Sequence, residues 1–305
     1  MKDVTRRTFI RNTALGVGGL AFSSYSTKKA SPRLSFSTLG CPDWSFQKIV
    51  DFAAQHQYQG LEIRGLLRQL DLPQCLEFSN AQNRKATMSL MRDKGLYFVG
   101  LGSSATLHFA AGTARQKNLD EGKRFIDLAQ QIDCPYVRVF PNAFPKDQAR
   151  ETTLDLIAAG VLELAGHAKG SKVTVLMETH GELVKSDDLL RIMNAAQHKH
   201  SGLVWDIANM WMVTGESPVD VYKKLKKFIR HSHIKDANMV DGKPQFTLLG
   251  EGEVPIFTGI DELIKDNYKG YYSFEWEKMW HPEIAEPEVA LAHFPVAFQK
   301  HLNKN

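Results

Sequence analysis

The chain reads as a single (β/α)8 barrel, and three observations predict it. Eight short apolar segments alternate with eight amphipathic ones over the 275 residues that follow position 30. That length suits one barrel better than two smaller domains. Four metal-ligand side chains recur near the ends of the last four strand-like segments, at intervals close to one βαβ repeat of about 30 residues. No Gly-rich nucleotide loop follows the first strand, which removes the main support for an open doubly wound sheet.

The strand candidates in order are RLSFSTLG, GLEIRG, LYFVGLGSS, YVRVFPN, VTVLMETH, GLVWDIAN, RHSHIKDA and YYSFEWE. Between them lie SFQKIVDFAAQH, NAQNRKATMSLMRDKG, ARQKNLDEGKRFIDLAQQID, ARETTLDLIAAGVLELAGHAKG, SDDLLRIMNAAQH, PVDVYKKLKKFIR and FTGIDELIKDNYK, and PEVALAHFPVAFQKHL closes the chain. Their apolar residues recur three and four apart, as one buried helical face requires. Gly95, Gly170 and Gly270 stop three of them just before the next strand. The segment MVDGKPQFTLLGEGEVP has hairpin character and interrupts the alternation.

Residues 1–30 read as an export signal and linker, and residues 31–305 as the barrel. The leader carries Arg6-Arg7-Thr8-Phe9-Ile10-Arg11 before a short, glycine-rich apolar stretch, a pattern that predicts twin-arginine export to the periplasm. The alternative is a disordered basic tail. The apolar stretch is too short for a spanning helix, so no stable membrane insertion is expected. Six basic residues against Asp3 give the leader a net charge of +5, whereas the whole chain carries +4. The barrel is therefore close to −1, and binding to nucleic acid loses its electrostatic basis. Cys41, Cys75 and Cys134 lack CxxC spacing and read as buried or incidental thiols, with one unassigned pairing left open.

The four candidate ligands are Glu178, Asp206, His233 and Glu275, separated by 28 (178 to 206), 27 (206 to 233) and 42 residues (233 to 275), the hairpin-like insertion accounting for the last excess. Ligands recurring once per βα unit converge at one mouth of a parallel barrel. The rival reading is a set of buried ion pairs holding that mouth together. Strand alternation puts Glu178 with His180, His231 with His233 and Lys235, and Glu275 with Glu277 on common faces. Two Glu, one Asp and one His make an oxygen-rich set suited to one divalent ion, Mn²⁺, Mg²⁺ or Co²⁺, with Zn²⁺ also admissible. Such an ion would acidify the C–H beside a bound carbonyl and stabilise the enediolate, while a flanking carboxylate takes the proton.

METHG, WDIAN, HSHIKD and SFEWE resemble the motifs of the xylose-isomerase-like TIM-barrel proteins, the sugar phosphate isomerase/epimerase superfamily, across nearly the whole chain after residue 31. The resemblance implies metal binding by Glu178, Asp206, His233 and Glu275. It also implies an acid/base role for Glu178 and Glu275, as in the ketose epimerases. Many relatives place a histidine three residues after the aspartate; here Asn209 stands there, which orients through hydrogen bonds but cannot titrate.

Further substrate contacts are expected from His180, Asn209, Glu62, Arg64, Arg138, His231 and Lys235, each with a rival reading as a hydrogen-bond or ion-pair partner beneath the mouth. Trp44 and Trp280 follow the first and last strands and offer aromatic walls to sugar C–H faces; Trp205 and Trp276 have the opposite parity and should pack between barrel and helices. The expected function is a metal-dependent isomerase or epimerase of a sugar or keto-sugar. The alternative is a lyase that expels a β leaving group from a 3-keto-glycoside at the same site. A non-catalytic exported sugar-binding protein, or a relative of the abasic-site endonucleases of the same superfamily, fits less well. The former wastes an intact ligand set, and the latter needs a basic groove.

Overall fold

The computed structural model describes residues 32–304, so the leader and the boundary placed after residue 30 lie outside the described residues. Eight parallel strands close into a barrel: β1 (Arg33–Ser37), β2 (Gly60–Ile63), β3 (Tyr97–Thr106), β4 (Tyr136–Phe140), β5 (Thr174–Glu178), β6 (Ser201–Asp206), β7 (Ile229–Ile234) and, after an inserted hairpin, β10 (Tyr271–Phe274). Each pairs with its sequence neighbour in the barrel, and β10 closes against β1 through the register Ser35↔Ser273. All eight expected strands form within two or three residues of their predicted bounds. The hairpin consists of β8 (Asp236–Val240) and β9 (Lys243–Thr247), paired antiparallel.

Helices α1 (Phe46–Gln55), α2 (Ala81–Asp93), α3 (Thr113–Gln131), α4 (Arg150–His167), α5 (Ser186–Ala195), α7 (Pro218–Leu225), α8 (Ile256–Lys265) and α9 (Pro287–Leu302) correspond to the eight amphipathic segments. The unexpected helix is α6 (Ile207–Thr214), which grows directly from the end of β6. Asp206 ends the strand and caps this helix, its Oδ1 accepting from the Asn209 N–H at 2.9 Å. Gly215, left-handed at φ 70°, stops it one residue past Thr214.

The core is the layer between barrel and helices. Trp205 faces outward and stacks on Tyr222 of α7 at 5.5 Å, and Phe294 of α9 stacks on Phe274 at 4.7 Å. Trp276 stacks on Phe274 at 5.7 Å and donates its indole N–H to Ala285 O at 3.0 Å. The opposite parity read for Trp205 and Trp276 thus corresponds to this outer layer. Cys41, Cys75 and Cys134 are free and buried, and burial pushes the Cys134 thiol up to about 12. Among the described residues no helix is long and apolar enough to cross a membrane.

The hairpin is tied down by one carboxylate. Asp236 accepts from the N–H of Ala237 (2.9 Å), Gly250 (2.8 Å) and Gly252 (3.1 Å), which fixes both where the insertion leaves the barrel and where it returns. Replacing Asp236 by Ala removes the acceptor of three backbone N–H groups, of which that of Ala237 is buried, and urea denaturation should show a loss of about 1–3 kcal/mol. A loss below about 0.5 kcal/mol would show that the hairpin is anchored elsewhere.

Candidate metal centre

Strand ends bring the four expected ligands together. Glu178 ends β5, Asp206 ends β6, His233 is the penultimate residue of β7, and Glu275 follows β10. All four side chains are buried, and one ligand atom from each lies within 4.8 Å of the others. Register explains the meeting: Asp206 pairs directly with His233, and His233 with Ser273, so Glu275 stands two residues nearer the rim on the adjoining strand. In a tilted barrel that stagger sets side chains of successive strands at a common level.

His233 stands at the middle of the cluster. Its Nδ1 lies 3.1 Å from Glu178 Oε1 and 3.3 Å from Glu275 Oε2. Its Nε2 faces both oxygens of Glu62 at 3.0 Å. Glu62 in turn accepts from His231 Nε2 at 2.9 Å and from the Ser273 hydroxyl at 3.0 Å. This is the geometry in which an outer carboxylate fixes the tautomer and ring plane of a ligating histidine. Glu62, His231 and His233 form a second compact trio. Because Glu62 and His231 already bond one another, the trio serves as the support beneath the ligand set.

Cations offset the carboxylates. Arg138 Nε approaches Glu178 Oε2 to 2.9 Å, and Lys235 Nζ reaches Asp206 at 2.8 Å and both Glu275 and Glu277 at 2.7 Å. Proximity and direction differ here: Glu178 Oε2 and Asp206 Oδ2 are buried with no aligned hydrogen bond, despite those close nitrogens. Two buried carboxylate oxygens without directed donors, next to a histidine nitrogen, are what a divalent ion satisfies. The residues present therefore fit a metal ion.

The cluster also sets the charges. Burial and the Glu275 charge push the Glu178 carboxyl up, but His233 and Arg138 outweigh them and hold it below the usual range. Burial opposes the charge on Glu275 too, while His233 and Lys235 bring it well below that range. Asp206 goes the other way, raised to about 6 by burial and by Glu275 and Glu178 against the pull of Lys235. Burial disfavours the His233 imidazolium, yet Glu275, Glu62 and Glu178 raise its pKa well above the ordinary value.

A cavity of about 230 Å³ opens over this cluster, lined by Leu39, Arg64, Arg138, Phe140, Glu178, His180, Glu275, Glu277 and Trp280. A larger one, about 510 Å³, lies at the opposite end among the strand starts, with Arg33, Tyr136 and Tyr271 in its wall. Size does not decide between them: the perturbed carboxylates and the histidine belong to the smaller one, at the C-terminal face where barrels hold their chemistry.

Several expected substrate contacts lie elsewhere. Trp44 is buried against Phe52 of α1 at 4.9 Å with Lys48 over its ring, outside the cavity wall. Asn209 donates its amide to Thr179 O at 2.9 Å and its backbone N–H to Asp206, so it holds the aspartate in place. Glu62 and His231 sit below the mouth, bonded to each other, and Lys235 is taken up by its three carboxylates. Arg64, Arg138, His180 and Trp280 do line the cavity. Leu39 and Phe140 were missed because a lone apolar residue at a strand end carries no chemical signature. Parity could have found Phe140, two residues after Arg138 on β4.

The xylose isomerase-like TIM barrel family model matches residues 50–294. The chain belongs to that family. It is 24% identical over 252 residues to a 3-dehydroshikimate dehydratase from Bacillus anthracis, covering 76% of this chain and 85% of the relative. Among solved structures it is similar to the IolI protein with a bound zinc atom (TM-score 0.74, 16% identity, 89% of this chain and 98% of that one). It is also similar to a 3-keto-D-glucoside 4-epimerase from E. coli (TM-score 0.69, 13% identity, 88% and 99%).

Two measurements test the centre. Elemental analysis should find about one divalent ion per chain, lost in a Glu178→Gln/Asp206→Asn double variant. Metal uptake at pH 7 should release about one proton, since the cation replaces the one that the carboxylates hold on His233, and affinity should fall as pH is lowered. Calorimetry in buffers of different ionisation enthalpy reads that proton; heats independent of buffer would contradict the His233 assignment.

Proposed function

We propose that this barrel is a divalent-metal-dependent isomerase or epimerase that moves a proton on the carbon beside the carbonyl of a sugar or keto-sugar. One observation carries the reading: two buried carboxylates, Glu178 and Glu275, line one cavity from separate strands and belong to a four-residue ligand set. A divalent ion held by Glu178, Asp206, His233 and Glu275 would polarise a carbonyl and acidify its neighbouring C–H. Both glutamates are held below the usual carboxylate range, so each is an ionised base at neutral pH. In this reading one takes a proton from one face of the substrate and the other returns it on the opposite face.

The remaining wall positions the substrate. Arg138 holds Glu178 while its guanidinium lies 3.9 Å over the Phe140 ring. His180 sits against Phe140 at 4.5 Å, with its pKa lowered by burial and its Nδ1 without a partner, so it meets the cavity as a neutral imidazole. Trp280, 51% exposed, stands at the rim, where an indole face suits sugar C–H bonds. Phe246 of the hairpin stacks edge-on to His281 at 5.0 Å beside it. The paired arginines before Phe9-Ile10 support a periplasmic location, reached by the twin-arginine route.

A second reading uses the same first step. If the carbon beyond the reactive one bears a leaving group, the carbanion expels it and the enzyme is a lyase, for instance on 3-keto-glycosides. The relative from Bacillus anthracis, a dehydratase by name, supports this outcome.

Solvent-deuterium exchange tests both. Metal-loaded protein in D₂O should label the carbon next to the carbonyl in at least one of D-tagatose, a 3-keto-glucoside or 3-dehydroshikimate. Absence of label in all three would remove carbonyl chemistry from the site. Where label appears, release of aglycone or water assigns the lyase, and a stereoisomeric product the epimerase. Glu275→Gln should lower the exchange rate about 10²–10⁴-fold.

A further inference from the structure

One cation in the cavity wall has no counter-ion. GLEIRG places Glu62 and Arg64 on the inward face of β2 and the residue after it, and their fates differ. Glu62 is absorbed by the two histidines. Arg64 rises one layer higher, is 6% exposed and lines the cavity. Its Nη2 donates to the Ser104 hydroxyl at 3.0 Å and its Nη1 to Gly102 O at 3.4 Å, a long contact. Among the described residues no carboxylate lies within ion-pair distance of it. Glu121 approaches only through Ser104, whose N–H it accepts at 2.5 Å.

The neighbouring arginine shows the contrast. Arg138 crosses the same glycine: a Cβ on Gly102 would meet Arg64 Cδ at 2.7 Å and Arg138 Nη2 at 2.9 Å, so the bare backbone there admits both guanidinium groups side by side. Arg138 is paired with Glu178 and Lys235 with three carboxylates, which leaves Arg64 as the arginine of the wall without an ion-pair partner among the described residues. Burial first, and then the Arg138 charge, pull its pKa down to about 10 against the more distant Glu178, Glu275 and Glu121, so it remains a cation at neutral pH. Burying a cation beside another cation, with no carboxylate in ion-pair contact, is costly unless something that enters the cavity completes it.

We infer that the substrate carries a carboxylate, which the Arg64 guanidinium binds beside Phe140 while the carbonyl end faces Glu178 and Glu275. The inference rests on the proposed reading of this cavity as a substrate site. A planar fork of donors matches a carboxylate in two parallel hydrogen bonds. One unmatched positive charge suits one negative charge; a phosphate monoester, with a charge of about −1.5 to −2, would overfill it. A cavity of about 230 Å³ is also small, which favours a single-ring acid.

The test uses a ligand without a reactive carbonyl, so that recognition and chemistry fail separately. Calorimetry on the metal-loaded protein should show shikimate binding at least 10-fold more tightly than its methyl ester. Arg64→Gln should lower shikimate affinity about 100-fold and bring acid and ester close together. Arg64→Lys should fall between, keeping the charge but not the fork. The Arg64→Gln protein should melt at the same temperature as the parent or higher, since an unmatched buried charge is gone. Equal affinity for acid and ester in the parent, an acid-to-ester ratio unchanged by Arg64→Gln, or a preference for D-tagatose 6-phosphate would each overturn the inference. Loss of deuterium exchange with shikimate selectivity intact would instead overturn only the proposed reaction.

Discussion

The mouth of this barrel is organised around the histidine at the end of β7, which is pressed between carboxylates on both sides of its ring. Glu178 and Glu275 crowd Nδ1, and Glu62 holds Nε2. Few arrangements in a buried interior are as costly if left unbalanced, because each ionised carboxylate loses its water. The surrounding residues are arranged to balance that charge. Arg138 and Lys235 reach in from β4 and from the end of β7, Ser273 and His231 support Glu62, and Asn209 pins Asp206. The four candidate ligands are therefore held in place: they cannot move apart without leaving a buried charge unpaired.

The sequence revealed the cluster of four candidate ligands well and its supporting residues poorly, and the difference is physical. Glu178, Asp206, His233 and Glu275 recur with the period of the βα unit, a regularity that survives without coordinates. Arg138 and His180 share strand parity with a ligand or interrupt an apolar run, so they too could be read. Glu62 shows parity but not height: alternation places it inside the barrel without saying whether it faces the cavity or the layer below. Trp44 fails for a related reason. A position after the first strand is a rim position only if the loop rises, and here the indole turns down onto Phe52.

Helix α6 illustrates a second limit. The residues IANMWMVT directly follow a strand, with no turn signal between them. The side chain that would mark the helix start is Asp206 itself, already accounted for as a candidate ligand. One oxygen caps the helix and the other faces Lys235, so a single carboxylate ends a strand, starts a helix and belongs to the candidate metal centre. Local patterns assign one role per residue and miss such sharing.

The order of the strands has a consequence for how this barrel can be altered. All four candidate ligands come from β5 onward, whereas Leu39, Arg64, Arg138 and Phe140 come from the first four strands and the turns that follow them. The chain is thus divided between a half that holds the candidate metal ligands and a half that supplies much of the wall facing them. Glu62 and Arg138 stitch the two together across the barrel. Grafting the first half of one relative onto the second half of another, with those two residues kept, would change what is recognised while leaving the ligand set in place.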